Sequence, residues 1–118
     1  MIKLYFTGGA TIIASLSESK KGVTIRTSSG EVTYECALRR QSESNVPAML
    51  FGVMAGVAEA QQCPTYQNWV KYLSYMGDNS PNKDDYNDFK KDARAWEKVS
   101  GGITADEILT VLSENFNI

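Results

Sequence analysis

Carboxylates are the only plentiful groups in this chain that could act on a substrate: it carries fourteen Asp and Glu side chains and no histidine. Asp78, Asp84, Asp85, Asp88, Asp92 and Asp106 could in principle gather for magnesium, which takes oxygen ligands and commonly needs only one or two carboxylates beside substrate phosphates. Their spacing selects no such site, because Asp84, Asp85, Asp88 and Asp92 recur as the charged surface of a helix would place them. The lack of histidine removes Ser-His-Asp and Cys-His activation of a nucleophile and every metal site that needs an imidazole. No catalytic residue, cofactor ligand or metal ligand is therefore assigned.

Two glycine motifs invite an anion. Thr7-Gly8-Gly9-Ala10-Thr11 could offer backbone N–H groups to a phosphate, but it lacks the lysine of a Walker loop and runs into a strand pattern, so a hairpin turn is expected. Ser100-Gly101-Gly102 precedes a helix start. There Thr104 and Glu107 form a capping box, expected to be reciprocal, and Asp106 adds negative charge, so an anion would be repelled.

These groups need a scaffold, and the composition supplies one. At 118 residues, 42% hydrophobic and 22% charged, the chain reads as a single folded domain over 1–118. A net charge of −2, with only the short basic pairs Lys20-Lys21, Arg39-Arg40 and Lys90-Lys91, leaves no electrostatic footprint of a dedicated duplex binder. Met1-Ile2-Lys3 leads into a strand pattern and not a signal peptide, so a cytoplasmic setting is expected. Cys36, on the apolar side of a strand, and Cys63 are then expected as buried free thiols.

Residues 1–40 read as β-rich. Ile2, Leu4 and Phe6 alternate with polar neighbours, as do Ile12, Ala14 and Leu16, then Val23 and Ile25, then Val32, Tyr34, Cys36 and Leu38. Turns at Gly8-Gly9, 18–22 and 28–30 predict an antiparallel β-meander of about four strands. Residues 45–118 read as helix-rich. Pro47, with Ser44 or Asn45 as cap, opens an almost wholly apolar helix through Ala48 to Ala60, expected to be the most buried element. Ala48, Gly52, Gly56 and Ala60 make a ridge of small residues that would let another backbone approach, and a homodimer seam is its alternative use. The apolar run is too short and too interrupted for a membrane span. Residues 64–76 fit a helix better than a strand. A helix from about Pro81 to Val99 sorts Tyr86, Phe89, Ala93 and Trp96 onto one face, the four aspartates onto a second and Lys83, Lys90, Arg94 and Lys98 onto a third. A last helix carries Ile108, Leu109, Val111, Leu112 and Phe116. The fold class is α+β, a meander packed against three to four helices.

Several short landmarks occur in order: Tyr5-Phe6-Thr7-Gly8-Gly9, Ser44-Asn45-Val46-Pro47-Ala48-Met49-Leu50, Asp78-Asn79, and Val99-Ser100-Gly101-Gly102 with Ala105-Asp106-Glu107-Ile108. Together they resemble a ribonuclease H-like module across most of the chain. The resemblance implies magnesium-dependent chemistry on nucleic acid, with an Asp from the first strand and a Glu from the first helix on the metal. Thr7 and Met49 stand at those places here, and only Asp78 and Asp106 match acidic positions. A module of that kind would be catalytically dead.

The aromatic set Tyr66, Trp69, Tyr72 and Tyr75 cannot share one narrow helical face, so at least one must meet solvent. Tyrosine and tryptophan dominate interface hot spots. With Asp84, Asp85, Asp88 and Asp92, Tyr72 and Tyr75 are therefore the candidate partner-binding residues. The expected function is a non-enzymatic protein-binding module, an inhibitor of the phage-encoded anti-host or anti-defence kind or a toxin-immunity protein. Its partner would be a protein, basic or itself nucleic-acid-binding. The alternative is a divergent ribonuclease H-like nucleic-acid binder or magnesium-dependent nuclease.

Overall fold

The computed structural model describes residues 1–118. Four strands come first: β1 (Ile2–Tyr5), β2 (Thr11–Leu16), β3 (Gly22–Thr27) and β4 (Gly30–Glu35). They pair in sequence order, all antiparallel. After a 3-10 turn (Glu43–Asn45) come four helices, α1 (Val46–Gln62), α2 (Tyr66–Tyr75), α3 (Lys83–Val99) and α4 (Ala105–Phe116). The α+β meander-and-helices architecture is as the change of period implies.

Alternation decides which face of the sheet is covered. Leu4, Ile12, Ala14, Val23, Ile25 and Tyr34 are buried, while Lys3, Tyr5, Thr11, Arg26 and Thr33 on the opposite face are exposed. The register joins Leu4 to Ile12, Ala14 to Ile25 and Val23 to Tyr34, so the apolar side chains form rows on one face. Gly9, at φ 88°, completes the expected hairpin turn, its N–H donating to Phe6 O at 2.9 Å.

The fourth strand is shorter than its alternation suggests. Cys36 and Ala37 still donate to Lys21 O, at 3.2 and 2.8 Å, but β3 begins at Gly22 and offers no strand beyond that point. The chain therefore leaves the sheet. Leu38 is 96% exposed, and Cys36 is exposed instead of buried, whereas Cys63 is buried; both are free.

α1 is the most buried element, with eight buried residues including Leu50, Met54 and Val57, and it packs on β2 and β3 between α3 and α4. Pro47 sits in its first turn. Asn45 holds the cap position without a side-chain cap bond, because its Oδ1 accepts from the Ser42 hydroxyl at 2.6 Å. The small-residue ridge divides: Ala48 and Gly52 are exposed, Gly56 and Ala60 buried. What approaches Gly56 is a ring and not a backbone, since a Cβ built there would lie 2.2 Å from Phe89. Gly56 and Ala60 are thus covered within the chain and unavailable to a dimer seam.

Residues 66–75 are helical, capped by Thr65 Oγ1, which accepts from Asn68 N–H at 3.2 Å. Gly77 at φ 92° ends α2 in a Schellman arrangement, with Asp78 N–H on Leu73 O at 2.8 Å and Gly77 N–H on Ser74 O at 3.1 Å. α3 starts two residues after Pro81 because Asn82 takes the cap, its Oδ1 accepting from Asp84 N–H at 2.7 Å. Only half of the expected capping box forms on α4: Thr104 Oγ1 accepts from Glu107 N–H at 3.2 Å, and Glu107 makes no reciprocal bond. No helix is long and apolar enough to cross a membrane.

Candidate functional site

α3 is positioned by its apolar stripe. Tyr86, Ala93 and Trp96 are buried, with Phe89 half-buried between Gly56 and Trp69, its ring centroid 5.8 Å from the Trp69 ring. This docking turns the aspartate row outward: Asp84, Asp85 and Asp88 are exposed and Asp92 is half-buried. The basic face does not neutralise them. Lys83 lies over the Tyr66 ring at 6.0 Å, and Lys90 lies over Tyr86 at 5.7 Å while donating to Ala60 O at 3.3 Å. The ion pairs of the molecule are Met1 with Glu43 and Arg26 with Glu31, so all four aspartates are unpaired.

Where α3 crosses the end of β4 the two enclose a cleft of about 370 Å³. Val53 and Phe89 supply its apolar lining, Glu35, Asp85, Asp88 and Asp92 its carboxylates, Lys91 its one cation and Cys36 a thiol. Asp84 lies outside this cleft. Asp85 also lines a second hollow of about 300 Å³ between α1, α2 and α3, with Glu59, Asp78 and Trp69. The Trp69 indole N–H is buried without an acceptor.

The surroundings shift several protons. Burial raises the Asp92 carboxyl, and the charge of Asp88 adds to it. Burial also holds the Tyr34 phenol protonated well above its usual range, with Asp92 contributing. The Cys36 thiol is raised by partial burial, with Glu35 and Asp92 adding to it, which makes it a poor nucleophile. A raised carboxyl favours the protonated folded state, so its contribution to stability is present at acid pH and lost as pH rises through the folded value. Asp92→Asn is therefore expected to be more stable than the parent at pH 7, the gain shrinking as pH falls through the raised folded value and largely gone below about 4. Urea midpoints at pH 7 and pH 3.5 check this.

The two tyrosines separate. Tyr75 is 89% exposed at the end of α2. Tyr72 is half-buried, its phenol raised chiefly by the charge of Glu59, while the Glu59 carboxyl is itself raised by burial. Asp84, Asp85, Asp88 and Tyr75 are thus surface groups, while Asp92 and Tyr72 are half-buried. No three Asp, Glu or Cys side chains come together in a way that could hold a metal ion. Asp78 accepts from Ser80 N–H at 2.8 Å in the α2–α3 loop, and Asp106 stands in the first turn of α4. Thr7 lies in the β1–β2 turn, Met49 is half-buried on α1, and the chain after β4 holds helices alone.

Sequence reasoning missed Glu35 and Cys36 as walls of the cleft. A thiol count tests the second placement: a disulfide-exchange reagent should titrate one cysteine in the folded protein and two in denaturant, since Cys63 is only 4% exposed. Compared with family models, curated proteins and solved structures, the chain matches none.

Proposed function

We propose that the protein is a small non-enzymatic binding module that acts by occupying a basic protein partner with the aspartate face of α3. The observation that carries the reading is a set of four carboxylates on one helix, three of them exposed, none in an ion pair. Such a face raises the local concentration of a positively charged partner and repels acidic ones. Tyr75, exposed in the last turn of α2, adds an aromatic anchor of the type that interfaces favour. An inhibitor that blocks a host or defence protein, phage-encoded, or an immunity protein set against a basic toxin, would work in this way.

The test uses bead-bound protein. A basic protein retained from cell extract, released by salt and not retained by the Asp84→Lys/Asp88→Lys variant, is the expected result. Magnesium-dependent cleavage of an RNA–DNA hybrid by the pure protein, lost on Asp78→Asn or Asp106→Asn, would replace this reading with an enzymatic one.

A further inference from the structure

The β2–β3 turn and the segment after β4 meet at one corner of the molecule. Cys36 and Ala37 donate to Lys21 O, and Gln41 donates to Lys20 O at 2.7 Å. These bonds fix both ends of a short bend from which Leu38, Arg39 and Arg40 project, all exposed. They also bring Lys20-Lys21 beside Arg39-Arg40, two basic pairs remote in sequence. None of the four cations is in an ion pair. Glu18, in the same turn, is exposed, and Glu35 is engaged by the Ser19 and Ser17 hydroxyls at 2.6 and 3.3 Å. The corner is thus an apolar knob, 96% exposed, ringed by unpaired positive charge.

The cleft beside it has the opposite character. Val53 and Phe89 are apolar, and four carboxylates outnumber Lys91. Cys36 lines that cleft and is two residues from Leu38, so knob and cleft lie side by side, Leu38 Cα within roughly 7 Å of Cys36 Cα. The knob cannot fold back into its own cleft while both ends of the bend are held. Two complementary patches adjacent on one surface satisfy the condition for a two-fold contact, in which each copy gives a knob and receives one.

We infer that a second copy of this chain occupies the cleft, Leu38 of each copy against the half-buried Phe89 of the other, with Arg39 and Arg40 against Asp85 and Asp88. This contact needs no foreign partner and goes beyond the proposed function, although both use the same carboxylates. Self-association would therefore cover the acidic face, and a basic partner would compete with it.

Analytical ultracentrifugation over a concentration series tests this. The parent should show a monomer–dimer equilibrium weakened by salt. Arg39→Glu/Arg40→Glu and Asp85→Lys/Asp88→Lys should each be monomeric, and their equimolar mixture should form a one-to-one heterodimer, because both knob–cleft contacts then again join opposite charges. Leu38→Ser, which changes no charge, should raise the dimer dissociation constant by about tenfold or more. Far-UV circular dichroism confirms folding of each variant; if the double reversal on α3 unfolds, Asp88→Lys against Arg40→Glu gives the same comparison. A parent that stays monomeric throughout, reversed variants that still dimerise, or a mixture without heterodimer would each overturn the inference. None of these results bears on a foreign partner, whose binding is measured at concentrations where the chain is monomeric.

Discussion

Trp96→Ala should lower folding stability by about 3 to 5 kcal/mol, the range for removing a large aromatic side chain from a packed core. Trp96 is 1% exposed and belongs to the cluster that joins the buried sheet face to α1 and α4. Its indole N–H donates to Ile103 O at 2.9 Å, closing the Gly101-Gly102 turn onto the helix it follows. The substitution therefore opens a cavity and frees the connection into α4 at once. A domain of this size has about 5 to 15 kcal/mol in hand, so the variant should fold with a much reduced urea midpoint. A loss under about 1.5 kcal/mol, well below that range, would mean that α3 is not seated as described.

Gly56→Leu should cost about 1 to 3 kcal/mol by overpacking, despite about 1 kcal/mol of better helix propensity. Even the first added carbon would lie 2.2 Å from the Phe89 ring. That ring cannot swing freely, because Trp69 stands against it, centroid to centroid at 5.8 Å. In a Phe89→Ala background the same substitution should be milder, since the added side chain then fills space instead of contesting it. Equal losses in both backgrounds would show that the α1–α3 contact does not run through this pair. Chemical denaturation of the four proteins of the cycle decides the matter.

Much of the fold was legible because periodicity is a local property. The alternation of Ile2 to Phe6 and of Val23 to Ile25 marked strands, and the spacing of Tyr86, Phe89, Ala93 and Trp96 marked a docked helix face. The same spacing placed Asp84, Asp85, Asp88 and Asp92 together on the outer side of that helix. What the sequence could not carry was the identity of the neighbour across each contact. Val32, Tyr34, Cys36 and Leu38 alternate without a break, yet the strand stops at Glu35 because β3 has no residues left to pair with it. The ridge at Gly56 and Ala60 announced a close approach, but nothing local said that a phenylalanine ring would make it. Glu35 and Cys36 became cleft walls only when α3 crossed β4, and the two basic pairs became neighbours only through backbone bonds to Lys20 and Lys21.

These same cleft walls complicate the electrostatics of the acidic face. Asp92 is half-buried, whereas Asp84, Asp85 and Asp88 are exposed and meet a distant partner first. Reversing exposed charges should leave folding nearly unchanged, because surface charges away from packed contacts contribute little to stability.

The most direct measurement is the association rate constant with the basic partner, followed by stopped flow across a salt series for the parent and for Asp84→Lys/Asp88→Lys. If the aspartate face steers the encounter, the variant should associate about tenfold more slowly at low salt, and its rate should depend more weakly on ionic strength. Equal rates and equal salt dependence for the two proteins would contradict the assignment of α3 as the binding face.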